Sequence, residues 1–144
     1  MVVSCYHQLI FLRTKMTNLE IIKSTYEGKT SEENGKNLAQ YASDDISWTE
    51  AKGFPYGGTY IGFESIIKNV FSRLGSEWID YKFTPEDYIT SNDKVVAYGT
   101  YSGTNIRTKK SFKARVAHVW KLKDGKIINF EQFVDSQPVN EAYY

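Results

Sequence analysis

The chain has 144 residues, with 18 Lys plus Arg set against 17 Asp plus Glu. That length makes one domain with room for a real core, and the balanced charge lacks the one-sided basic field that nucleic-acid binding needs. The one cysteine, Cys5, excludes an intramolecular disulfide, and two His beside it are too few to suggest a metal site. Aromatic residues make up 15% of the chain, with 11 Tyr and 8 Phe. A strand-rich core and an apolar ligand cavity both have that composition.

In chain order, the first stretch is Met1 to Lys15, apolar but interrupted by His7 and Gln8. It is too short to span a bilayer and lacks the basic start of a secretory signal. It reads as an N-terminal extension, residues 1–15, ahead of a domain at 16–144, in a cytoplasmic protein with no membrane contact. Thr17 to Glu20 has the spacing of a helix-capping box, with Leu19, Ile22 and Tyr26 on one face and Gly28 as a stop. Thr30 to Glu33 repeats the spacing and opens a second helix with a thin apolar face, Leu38, Tyr41 and Ala42. Ile46 to Glu50 is a short strand, with Ile46, Trp48 and Glu50 on one side. A turn-rich loop, Lys52 to Tyr60, precedes the strongest helical pattern: Phe63, Ile66, Ile67, Val70, Phe71 and Leu74, stopped at Gly75.

From Glu77 onward the period becomes two. Strands are predicted from Glu77 to Thr84, Val95 to Gly103, Phe112 to Leu122 and Ile127 to Asp135. Asp124-Gly125 is the sharpest hairpin signal, and Pro138 closes the last strand. Segregated helices and consecutive strands predict an α+β domain: a cone-shaped curved antiparallel sheet with three helices on its concave face.

Several segments resemble the nuclear transport factor 2-like superfamily, and within it the SnoaL-like and ketosteroid-isomerase-like proteins. They are Asp44-Asp45-Ile46-Ser47-Trp48, Gly57 to Gly62, Ala117-His118-Val119-Trp120, Asp124 to Ile127, and Gln132-Phe133-Val134-Asp135. The resemblance covers nearly everything from Met16 onward. It implies the cystatin-like cone, and a superfamily of isomerases, cyclases, dehydratases, hydrolases and members without chemistry. Fold alone does not choose among them.

If Asp124 and Gly125 form the turn, counting back pairs Leu122 with Ile127, Trp120 with Asn129, His118 with Glu131, Val116 with Phe133 and Ala114 with Asp135. That face, with one histidine and two carboxylates among apolar neighbours, is expected to line the pocket. A bulge would move the register by one and put Gln132 in the place of Glu131. The candidate acid–base residues are His118, Glu131 and Asp135, since imidazole titrates near neutral pH and a carboxylate can fix its tautomer. The resemblance implies a histidine and an acidic residue in this region of the cyclases. An ordinary cross-strand pair of His118 and Glu131 is the structural alternative.

Candidate substrate-binding walls are Trp48, Tyr60, Phe71, Tyr98, Trp120, Gln132 and Phe133. The expected ligand is a small, mostly apolar carbonyl compound, either isomerised, cyclised or dehydrated, or held by a non-catalytic accessory protein. Gly57-Gly58 lacks the context of a phosphate loop, so no cofactor is expected. A homodimer is expected through Ala117, Val119, Ile128, Phe130 and Val134 on the other sheet face.

Overall fold

A computed structural model describes residues 15–144; the expected N-terminal extension lies outside the described residues except for Lys15. Helix α1 (Asn18–Ser24) opens with the capping box: Thr17 Oγ1 accepts from the Glu20 N–H at 3.2 Å, and the Glu20 carboxylate accepts from the Thr17 N–H at 3.0 Å. It ends before Gly28, where the Thr25 hydroxyl donates to the Ile22 carbonyl at 2.7 Å. Helix α2 (Ser31–Tyr41) is capped by Thr30. The long helical pattern becomes α3 (Phe63–Ile66), a π turn (Ile67–Phe71) and α4 (Ser72–Glu77). The wider turn shifts the phase of the apolar stripe. Ile66 and Val70 stay buried, whereas Ile67, expected inside, is 40% exposed. The helix also runs through Gly75, the expected stop, to Glu77.

Six strands form one sheet in the order β2-β1-β6-β5-β4-β3. They are β1 (Ala42–Glu50), β2 (Gly58–Ile61), β3 (Trp78–Ser91), β4 (Lys94–Asn105), β5 (Ser111–Lys123) and β6 (Lys126–Val134). Every neighbouring pair is antiparallel except β1 and β6, which run parallel. Strand β2 lies where a loop was expected, since four residues with a glycine show no period. Strand β3 runs past its expected end at Thr84 because a register shift at Pro85 and Asp87 absorbs the proline. Helix α5 (Ser136–Tyr143) was not expected: Pro138 sits in its first turn, where a missing N–H does no harm.

Alternation decides the core. Trp48 and Glu50 on β1, Val95, Ala97 and Tyr101 on β4, and Ala114, Val116, His118, Trp120 and Leu122 on β5 are buried. Helices α1 to α3 cover one half of this concave face with Ile21, Ile22, Leu38 and Ile66. Phe54, Tyr56 and Val139 cover the other half. No described helix is long and apolar enough to cross a membrane.

Candidate functional site

The β5–β6 hairpin turns at Asp124 and Gly125, both at positive φ, 51° and 76°. Lys123 pairs with Lys126 and Leu122 with Ile127, as a regular count gives. A bulge follows between Lys121 and Leu122, and the register moves by one. Trp120 faces Phe130 rather than Asn129, Val116 faces Val134 rather than Phe133, and His118 faces Gln132 rather than Glu131. The expected pairing of His118 with Glu131 is therefore corrected. The extra residue turns Phe130 and Gln132 to the concave side, so Phe130 leaves the expected outer patch.

His118 lies inside, only 6% exposed. Rings enclose it: Phe83 at 4.7 Å, Phe130 at 4.8 Å, Tyr101 at 5.5 Å and Tyr26 at 5.8 Å between centroids. Both of its nitrogens are taken. Nδ1 meets the Tyr26 hydroxyl at 2.5 Å, and Nε2 meets the Tyr101 hydroxyl. Trp120 Nε1–H donates to the Tyr26 oxygen at 2.8 Å. Gln132 Nε2–H donates to the Tyr101 oxygen at 3.0 Å, and the Gln132 carbonyl accepts from the Ala51 N–H at 3.0 Å. Burial pulls the imidazole down to about 3, so His118 is neutral across ordinary pH. Burial also pushes the Tyr26 and Tyr101 phenols well up.

Glu50 is not among the acid–base residues expected from the sequence, although the alternation of β1, which sets it on one face with Trp48, is the signal that points to it. Its side chain is buried at the end of β1. Trp48 Nε1–H donates to Oε1 at 2.9 Å, while Oε2 is buried without any partner. Burial raises its carboxyl to about 7, against the smaller lowering effect of the Trp48 bond. Its charge reaches Tyr81 and Tyr101.

A recess of about 620 Å³ opens where β1 and β6 end and β2 begins, and Glu50, Ala51, Gly58, Glu131, Gln132 and Phe133 are among its lining. The sequence-derived residues divide around it. Gln132 is buried, while Glu131 and Phe133 are exposed on its outer side. Trp48 and Trp120 are buried, with ring centroids 5.6 Å apart. Phe71 packs edge-on against Trp48, and the Tyr60 hydroxyl donates to the Tyr56 carbonyl at 2.6 Å. Tyr98 pairs with Ala117 on the outer face, away from all of these. Asp135 is exposed at the start of α5 and makes no side-chain capping bond. The structure therefore brings together His118, Trp120 and Gln132, and leaves Tyr98 and Asp135 outside. Among the described residues no cluster of three or more His, Cys, Asp or Glu could hold a metal.

The SnoaL-like domain pattern matches residues 25–130. The chain belongs to the SnoaL-like family. None of the curated proteins compared matches it. Among solved structures, this SnoaL-like domain is similar to an NTF2-like protein from Burkholderia thailandensis. The two share 40% identity over 90% of this chain and 98% of the other, with a TM-score of 0.84. It shares the fold of TerC, co-crystallised with polyporic acid, at 24% identity over 88% and 97% of the two chains and a TM-score of 0.75. It also shares the fold of a candidate SnoaL-like polyketide cyclase from a Jannaschia species, at 15% identity over 88% and 90% and a TM-score of 0.73.

Proposed function

We propose that this SnoaL-like domain binds a small, mostly apolar carbonyl compound in the recess and moves a proton on it, as an isomerase, cyclase or dehydratase does. The observation that carries this reading is Glu50: a buried carboxyl, tied at one oxygen, unpartnered at the other, and raised by burial to about 7. Such a group exchanges protons efficiently at neutral pH. Glu50 Oε2 takes a proton from the carbon beside the carbonyl, the carbonyl oxygen accepts the Tyr101 O–H, and Glu50 returns the proton at another atom. The recess has the volume of small-molecule sites, about 300–1,000 Å³.

The test is α-proton exchange of 2-tetralone in D₂O, followed by NMR. The protein should accelerate exchange over buffer, and Glu50→Gln should remove at least about tenfold of that, toward the 10²–10⁴-fold typical of a positioned acid–base group. Binding of such ketones without acceleration supports the second reading, a non-catalytic ligand-binding protein. That reading is favoured by His118, whose nitrogens are both committed to the protein.

We also propose a homodimer through the convex face. Ile89 (56%) and Phe133 (53%) are exposed there, beside half-buried Val96, Tyr98, Ala117 and Val119, which the register places in adjacent rows. The rim carries both signs, with Lys121 beside Asp93 and Arg115 beside Glu86, so a two-fold copy finds complementary charges. Sedimentation should show twice the chain mass, and Val119→Glu should halve it. A wild-type monomer at tens of micromolar refutes the dimer.

A further inference from the structure

We infer that helix α5 is a door: it swings at the Asp135–Ser136 step, opens the cone on the Tyr101 side, and is latched at its far end by Arg107, Thr108 and Arg73. This rests on the reading given above, in which a ligand oxygen accepts the Tyr101 O–H, and adds the route by which a ligand arrives there.

Burial sets the need for a moving part. Tyr101 is 5% exposed, so no ligand reaches its hydroxyl while the cone is shut. Two covers lie over the concave face. The one over Trp48 and Trp120 is α1 to α3, with Ile21, Ile22, Leu38 and Ile66 in one cluster. The one over Tyr101 is thinner: Phe54 and Tyr56 from the loop after β1, and Val139 and Ala142, the buried residues of α5. An element that buries so little apolar surface opens at lower cost than the sheet beneath it.

Polar contacts decide where it opens. The chain is pinned to β5 as far as Asp135, whose N–H donates to the Arg115 carbonyl at 2.9 Å. Beyond it, α5 starts without a side-chain cap. Its far end is held from outside the helix. The Thr108 hydroxyl donates to the Ala142 carbonyl at 2.5 Å, the Arg107 guanidinium donates to the Tyr143 carbonyl, and Arg73 donates to the Tyr143 hydroxyl at 3.2 Å. The two carbonyls are among those that a helix end leaves without an internal partner. The receiving loop is preformed, since buried Asn105 Oδ1 accepts from the N–H groups of Arg107 and Thr108 at 3.0 and 3.1 Å. Between hinge and latch, the Asn140 amide N–H donates to the Gly53 carbonyl at 2.7 Å. Gly53 belongs to the loop that separates the recess from Tyr101: Lys52 and Gly57 line the recess, while the Phe54 ring stands 6.2 Å from the Tyr101 ring. Releasing α5 frees that loop with it.

The experiment is iodoacetamide labelling of the full chain in a Cys5→Ser background, which leaves one thiol to place. Val116→Cys puts it in the cluster that α5 covers, and Val95→Cys in the cluster under α1 to α3; both positions are buried. Each rate is divided by that of the same chain unfolded in urea. Val116→Cys should be labelled at least about tenfold faster than Val95→Cys, as a local opening requires. Adding Arg107→Ala and Thr108→Val removes two latch bonds and should speed the first about tenfold more, while leaving the second unchanged. If that variant does not fold, Tyr143→Phe, which removes one bond, should speed the first about threefold. One common rate at both positions, latch variants that speed both alike, or latch variants that leave Val116→Cys unmoved would overturn the inference. No ligand enters the readout, so the expected labelling beside a failed 2-tetralone assay would sink the carbonyl reading alone.

Discussion

Gln132 and His118 stand opposite each other on β6 and β5 and share one hydroxyl, that of Tyr101. The amide cannot rotate without losing the Ala51 N–H. The imidazole cannot take up a proton without charging a site that burial keeps neutral. Two rigid neighbours thus fix the Tyr101 hydroxyl at the centre of the buried network. The convex face supplies none of these groups.

Glu50 and His118 should leave opposite marks on stability. Folded Glu50 keeps its proton up to about 7, while an ordinary carboxyl releases it near 4.5, so stability falls as pH rises through that window. Folded His118 refuses a proton until about 3, while an ordinary imidazole takes one near 6.5, so stability rises with pH through that window. Between pH 4.5 and 6.5 the two slopes cancel, and the wild type should be nearly flat. Glu50→Gln leaves the histidine slope bare, about 1.4 kcal/mol per pH unit. Urea unfolding at three pH values in that range measures it. A variant as flat as the wild type would show that one of the two groups is not buried as described.

Trp48→Phe removes the single hydrogen bond that holds the Glu50 carboxylate down. Its pKa should rise further above 7, and the midpoint of the exchange rate against pH should move the same way. A midpoint that stays put, or moves down, would mean that Trp48 packs beside the carboxyl without tuning it.

Much of the cone was legible because its signals are periodic and local. Thr17 and Glu20 cap α1 as their spacing requires, and the alternation of β5 puts Ala114, Val116, His118, Trp120 and Leu122 on the buried side. Each miss has a local cause. The bulge opposite the Lys121–Leu122 step inverts β6 from Asn129 onward, and no residue type there announces it. The π turn exposes Ile67, because a stripe counted at 3.6 residues per turn drifts where the turn widens. Glu50 stood on the same strand face as Trp48, yet its unpaired oxygen depends on groups from other strands that a sequence does not place side by side.

Gly99 and Gly75 should respond oppositely to alanine. A Cβ on Gly99 would stand 2.0 Å from the Thr84 carbonyl oxygen, where the backbones of β3 and β4 meet at the Pro85 irregularity. Backbone on both sides cannot yield, so Gly99→Ala should cost at least about 2 kcal/mol. A Cβ on Gly75 meets nothing within 4 Å inside helix α4, so Gly75→Ala should gain about 0.5–1 kcal/mol. Chemical denaturation of both variants checks the pair, and equal effects would contradict the close approach at Gly99.

Residues 1–15 should be dispensable for the domain. Helix α1 carries its own start: the Thr17 and Glu20 side chains satisfy two backbone N–H groups reciprocally, and Ile21 and Ile22 behind them are buried under the sheet. Met16 adds a contact of its own, its sulfur accepting from the Tyr41 hydroxyl at 3.0 Å. A chain beginning at Met16 therefore keeps the cap, the staple to α2 and the buried face of α1. Its melting temperature should match the full chain within about 2 °C. Thr17→Ala, which removes the hydroxyl but none of the preceding residues, should cost about 1 kcal/mol. That corresponds to a drop of roughly 2–6 °C for a domain of this size. A truncation that melts lower than Thr17→Ala would show that the first fifteen residues help to hold the domain together, and that the domain does not begin at Met16.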